Sequence, residues 1–106
     1  MFKNKVYLSI GSNIGDKESN IASSIAILGS YIEISEIKSS SFYKTEPLYN
    51  DNQPSFLNIV LELETTLTAF QLLDKIHEIE KMLGREEKRQ KNQPRTIDID
   101  IIIFKD

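Results

Sequence analysis

Two aspartates, Asp98 and Asp100, stand two residues apart in the run Pro94-Arg95-Thr96-Ile97-Asp98-Ile99-Asp100, which leads directly into Ile101-Ile102-Ile103-Phe104. In an extended strand successive side chains alternate faces, so both carboxylates share one face, about 6–7 Å apart along the chain. Ile97, Ile99, Ile101 and Ile103 take the other face and can bury. Two like charges side by side repel, and a strand gains no stability from them. A cation between them resolves the conflict. Paired carboxylates are the hard oxygen ligands that suit Mg²⁺, which completes its shell with phosphate oxygens and water. The competing reading, a solvated edge strand that uses charge to discourage pairing, fits poorly with such apolar flanks.

The residues before this strand supply positive charge. Arg85, Lys88, Arg89, Lys91 and Arg95 face only Glu86 and Glu87 in the same stretch. The segment is either a solvated connection or a set of cations that folds over a polyphosphate, with arginine forks on its oxygens. Phosphoryl transfer needs mainly positioning and charge neutralisation, which mobile cations and metal ions provide. Neither G-x-x-x-x-G-K nor G-x-G-x-x-G occurs, so those phosphate cradles do not apply. Phe56 and Asn58 pair an aromatic with an amide, one to stack on a planar heterocycle and one to hydrogen-bond it. His77, the single histidine, falls within a helical pattern, where a surface position is the ordinary reading.

The elements that must position these groups are legible from periodicity. Val6, Leu8 and Ile10 alternate with Tyr7 and Ser9, predicting a half-buried strand that ends at Gly11, with Gly11–Gly15 as a tight turn. Asp16 caps a helix running to about Leu28, with Ile21, Ile25 and Leu28 on one stripe and Gly29 closing it. Tyr31 to Lys38 reads as a strand with Ile32 and Ile34 inward and a register break before Ile37. Ser39, Ser40 and Ser41 lead to Phe42-Tyr43 and then to a polar connection containing Pro47 and Pro54 that reaches about residue 55, long enough to suggest a function of its own. Phe56 to Glu64 alternates most clearly, with Leu57, Ile59, Leu61 and Leu63 on one face. Thr68-x-x-Gln71 opens a second helix with Leu72, Leu73, Ile76, Ile79 and Leu83 buried, and Gly84 ends it. The order β-α-β-β-α-β predicts an α+β, ferredoxin-like fold with two helices on one face of an antiparallel sheet. Phe56, Asn58, Asp98 and Asp100 then share the face that no helix covers.

At 106 residues the chain is expected to form one domain with one core. Hydrophobic residues at 40% and charged residues at 27% are ordinary for a globular protein. A net charge of −3 argues against a protein that coats nucleic acid through its overall field. There is no cysteine, hence no disulfide and no thiolate metal site, which again favours carboxylate ligands. The N-terminal apolar run is too short for a signal or membrane segment, so a cytoplasmic protein, without membrane or nucleic-acid partners, is expected.

The blocks Ile10-Gly11-Ser12-Asn13, Ser41-Phe42-Tyr43-Lys44-Thr45, Phe56-Leu57-Asn58 and Pro94–Asp100, in this order and spacing, resemble the 6-hydroxymethyl-7,8-dihydropterin pyrophosphokinase family of folate biosynthesis. The resemblance implies transfer of a pyrophosphoryl group from ATP to the pterin hydroxymethyl, giving AMP, by a monomer acting on small-molecule substrates. It implies that Asp98 and Asp100 hold two Mg²⁺ ions, that Arg85 and Arg95 act on the transferring phosphates, and that Thr45, Leu48, Phe56 and Asn58 form the pterin pocket. On the nucleotide side it implies His77, Glu80, Lys88, Lys91, Arg95 and Ile101.

Three departures accompany the resemblance. Asn92 and Gln93 stand where the family has an aromatic and a small residue, and Glu87 stands where it has a loop arginine. Family members also continue for roughly a third of their length beyond the point matching Asp106, supplying a second aromatic, a histidine and arginines. The alternative expectation is therefore a short family member that binds pterin, nucleotide or a protein partner without turnover.

Overall fold

The structure, a computed structural model, describes residues 3–46, 55–84 and 96–105. Its elements are β1 (Asn4–Ser12), α1 (Lys17–Ser30), β2 (Ile34–Ser39), β3 (Tyr43–Thr45), β4 (Phe56–Thr65), α2 (Ala69–Met82) and β5 (Asp98–Lys105). The sheet runs β2-β4-β1-β5, every neighbouring pair antiparallel, and β3 pairs with β4 on the edge that β2 also uses. This is the expected α+β arrangement with one strand more than the sequence pattern suggested. The addition, β3, begins at Tyr43 and runs into the stretch read as polar connection. Ser40 bridges it to β2 by donating its N–H to the Val60 carbonyl and accepting the Val60 N–H on its Oγ. Together β2, Ser40 and β3 make one interrupted edge along β4.

One face of the sheet carries the core. Val6, Leu8 and Ile10 of β1, Ile59, Leu61 and Leu63 of β4, and Ile97 and Ile99 beside and within β5 pack with Ile21 and Leu28 of α1 and Leu72, Ile76 and Ile79 of α2. Each buried aliphatic side chain contributes about 1.5–3 kcal/mol relative to exposure, and strict alternation along β1 and β4 directs them all to the helix side. The opposite face is left to Tyr7, Ser9, Gly11, Asn58, Val60 and Glu62.

The helix starts form as expected. The Asp16 side chain accepts the Ser19 N–H, and Thr68 and Gln71 satisfy each other's backbone N–H groups in a reciprocal cap. Gly84 follows α2 with φ +99°, where a residue without Cβ is unstrained.

Five details differ from the periodicity. Gly11 and Ser12 extend β1 rather than opening the turn. Gly29 does not close α1, which runs on to Ser30 and hands the Tyr31 N–H to the Leu28 carbonyl. β2 begins only at Ile34, so Ile32 is exposed, while the break before Ile37 is real and takes Glu36 to φ 54°. Leu73 is 38% exposed, and the position on α2 that buries unexpectedly is Glu80, at 3%. Ile103 is exposed because the β1–β5 register shifts. Tyr7 pairs with Ile103 but Leu8 with Ile101, so Ile102 is an extra residue, a bulge. The bulge reverses the alternation beyond it, and Phe104 packs against the core in Ile103's place.

Candidate functional site

The register across three strands places the candidate residues in rows on the uncovered face. Gly11 of β1 pairs with Asn58 of β4 on one side and with Asp98 of β5 on the other. In the adjacent row Ser9 pairs with Val60 and Asp100. Since Ile10 and Ile99 face the core, Gly11, Ser9, Asp98 and Asp100 face away from it. Both aspartates thus share the open face, as alternation predicted, with Asp98 half-buried and Asp100 exposed.

The amide-and-aromatic pair lies at the same end of the sheet. Tyr43 pairs with Asn58 and Thr45 with Phe56. Asn58 Nδ2 donates to Thr45 Oγ1 at 2.9 Å and approaches the carbonyls of Phe56 at 3.4 Å and Tyr43 at 3.5 Å. Carbonyls only accept, so the NH₂ group must point toward β3. Asn58 Oδ1 is left facing β1, available as an acceptor above Gly11. Thr45 therefore supports Asn58 directly, a connection that depends on the unexpected β3.

The described nucleotide-side candidates lie on β5 and α2. Ile101 is half-buried against the core, and the Glu80 carboxylate accepts the Ile99 N–H at 3.1 Å. That N–H points away from β1, to the side of β5 that pairs with no strand among the described residues. His77 is exposed on α2. Leu48, Arg85, Lys88, Lys91 and Arg95, with Glu87, Asn92 and Gln93, lie outside the described residues.

Periodicity and resemblance did not single out Gly11 for the floor of this face, nor Tyr7 and Glu62 beside it. Tyr7 Oη donates to Glu62 Oε1 at 2.8 Å. That bond holds the Glu62 carboxyl below its ordinary range and raises the Tyr7 phenol. Lys105 lies over the Tyr7 ring, 5.8 Å from its centre, and Lys38 is 4.0 Å from Glu62. Tyr7 and Glu62 are directly opposed in the β1–β4 register, but a sequence shows no cross-strand pairing, so only the fold exposes them.

Among the described residues no three His, Cys, Asp or Glu side chains gather as a metal cage. Two hard carboxylates on one open face fit a cation that takes most of its shell from phosphate and water, as Mg²⁺ does. Among the described residues no helix is long and apolar enough to cross a membrane.

Residues 7–105 match the family model for 7,8-dihydro-6-hydroxymethylpterin-pyrophosphokinase. The chain is 46% identical over 101 residues to the 2-amino-4-hydroxy-6-hydroxymethyldihydropteridine pyrophosphokinase of Aquifex aeolicus, covering 95% of this chain and 61% of that protein. To the Bacillus subtilis protein of the same name it is 39% identical over 101 residues, covering 95% of this chain and 60% of the relative. A stretch of the Lactococcus lactis subsp. cremoris "Bifunctional protein FolKE" is 45% identical over 98 residues, 92% of this chain and 28% of that protein. The chain thus spans about three fifths of the length of the single-function relatives. With the match running almost from end to end, the chain belongs to the 7,8-dihydro-6-hydroxymethylpterin-pyrophosphokinase family.

Proposed function

We propose that this domain transfers pyrophosphate from ATP to the hydroxymethyl group of 6-hydroxymethyl-7,8-dihydropterin, releasing AMP. The observation that carries the reading is the row Asn58–Gly11–Asp98 across three paired strands. It sets a heterocycle-reading amide and a carboxylate pair on one uncovered face, separated by a residue with no side chain. Phe56 stacks on the pterin, and Asn58 Oδ1 accepts one of its N–H groups. Thr45 fixes the Asn58 amide, and Leu48 completes the pocket.

Asp98 and Asp100 hold two Mg²⁺ ions, whose chemistry is to neutralise and align the ATP phosphates. The nucleotide lies along the outer side of β5, reaching Ile101, Glu80 and His77. Arg85 and Arg95, with Lys88 and Lys91, meet the phosphates and stabilise charge that develops in the transition state. The pterin hydroxyl oxygen attacks the β-phosphorus in line, the bond from that phosphorus to the α,β-bridging oxygen breaks, AMP departs, and the hydroxyl proton passes to water. The 106 residues act as a single domain, a cytoplasmic monomer.

Mixing the protein with ATP, Mg²⁺ and the hydroxymethylpterin tests this reading, with AMP followed chromatographically. AMP should form, and Asp98→Ala should abolish it. Unchanged AMP production by that variant removes the metal assignment. Calorimetric binding of both substrates without AMP selects a binding domain in place of an enzyme.

A further inference from the structure

Gly11 sits in the middle of β1, yet its backbone does not require glycine. The glycines with positive φ are Gly15 and Gly84, and Gly11 is extended. A glycine inside a strand costs about 0.5–1 kcal/mol relative to alanine, and where the backbone is ordinary the usual reason is close approach of another group. Here that group is identifiable. A Cβ on Gly11 would lie 2.6 Å from Asn58 Oδ1 and 3.4 Å from Phe56 Cδ1. Ordinary carbon–oxygen contacts begin at about 3.3 Å, so the Asn58 amide would have to withdraw by about 0.7 Å. Withdrawal is possible, since the clash is with the end of a side chain. Its consequence falls on the contacts of Asn58 Nδ2 with Thr45 and Tyr43 of β3 and with the Phe56 carbonyl of β4.

We infer that Gly11 is a positioning residue of the pterin subsite. Its missing side chain lets the Asn58 amide lie across β1 with Nδ2 locked on β3 and Oδ1 presented as an acceptor. It also keeps the floor clear between Asn58 and Asp98, the path along which the acceptor hydroxymethyl must reach the phosphates. This inference rests on the proposed function for its ligand, while the placement of Asn58 stands on geometry alone. The residue acts through its neighbours and touches no reacting atom by a side chain.

The test compares the wild-type chain with Gly11→Ala, Asn58→Ala and the double variant. Thermal unfolding of Gly11→Ala should stay within a few degrees of wild type, because the gain of about 0.5–1 kcal/mol from removing a strand glycine is offset by the disturbed Asn58 contacts, about 1 kcal/mol. In ¹H–¹⁵N spectra the Asn58 side-chain NH₂ pair should move in Gly11→Ala, while backbone amides of α1 and α2 stay in place. An unmoved Asn58 pair overturns the inference whether or not any ligand binds. Titration with 6-hydroxymethyl-7,8-dihydropterin in the presence of Mg²⁺ and a non-hydrolysable ATP analogue should show about tenfold or greater weakening in Gly11→Ala, the scale of one misaligned recognition bond. The analogue's own affinity, measured without pterin, should change less than about twofold. In the Asn58→Ala background the added Gly11→Ala change should have a clearly smaller effect, since the amide it displaces is gone and only the Cβ on the floor remains to act. Equal weakening in both backgrounds overturns the coupling. Absence of pterin binding by wild type overturns the proposed function, and the NMR comparison still decides the placement of Asn58.

Discussion

Replacing Glu80 with alanine removes the acceptor of the Ile99 N–H, and Ile99 is the residue between the two aspartates. A hydrogen bond to a charged acceptor is worth about 1.5–3 kcal/mol net. Among the described residues β5 ends the sheet, so water can reach the abandoned N–H once the side chain is shortened, which favours the lower half of that range. Glu80 is 3% exposed, so burial of its Cγ methylene is lost as well, at about 0.8 kcal/mol for a fully buried group. The better helix propensity of alanine returns a few tenths of that.

The expected cost of Glu80→Ala is therefore about 2–3 kcal/mol. Unfolding entropy of about 2.1 cal/mol/K per residue over 106 residues converts this to a Tm lowered by about 9–14 °C. Glu80→Gln keeps an acceptor oxygen and the methylenes, and should cost about 1 kcal/mol. Urea unfolding gives the energies, and amide hydrogen exchange at Ile99 reports the bond itself. Mg²⁺ binding should weaken in the alanine variant, because the strand segment carrying both carboxylates loses its outer anchor. Ile99 exchange unchanged in Glu80→Ala would refute the reasoning. A glutamine variant as destabilised as the alanine one would place the role of Glu80 in its charge rather than in this bond.

Thr68→Ala should cost about 1 kcal/mol through loss of the α2 cap, and combining it with Gln71→Ala should cost less than the two separately, since both bonds belong to one box. Ile101→Thr should destabilise by about 1–2 kcal/mol while Ile103→Thr stays within about 0.5 kcal/mol; the reverse order in urea melts would deny the bulge at Ile102. The Tyr7–Glu62 bond predicts a pH signature. Glu62 is depressed, so its contribution is present above its ordinary value of 4.5 and is lost as pH falls through the lower folded value. Tyr7 is raised, so its contribution is present below its ordinary value of 10.0 and is lost as pH rises through the higher folded value. The stability gap between wild type and Tyr7→Phe should be flat between about pH 6 and 9 and shrink at both extremes, and a gap that widens in acid contradicts it.

Much of this protein follows from local rules. Alternation along Ile97–Ile101 puts Asp98 and Asp100 on one face because parity within a strand is a property of the strand itself. The caps at Asp16 and Thr68 are similarly local, since donor and acceptor are three residues apart. The family blocks also stand in the chain and need no coordinates.

Tertiary structure decided how the strands align. That Asn58, Gly11 and Asp98 form one row depends on two independent antiparallel registers, each a sum over many backbone bonds and buried contacts. The same alignment places an extra residue at Ile102, exchanging Ile103 for Phe104 in the core. β3 escaped periodicity because a three-residue strand is too short to show one, and it forms where β4 offers an unpaired edge. Glu80 stands at the flank of the α2 apolar stripe, four residues after Ile76, where its polarity argues for a surface position, and only the approach of α2 to β5 turns it into a buried acceptor. Local spacing therefore determined which way groups point within an unbroken strand or a cap, whereas bulges and the distances between groups on different strands came from pairing and packing.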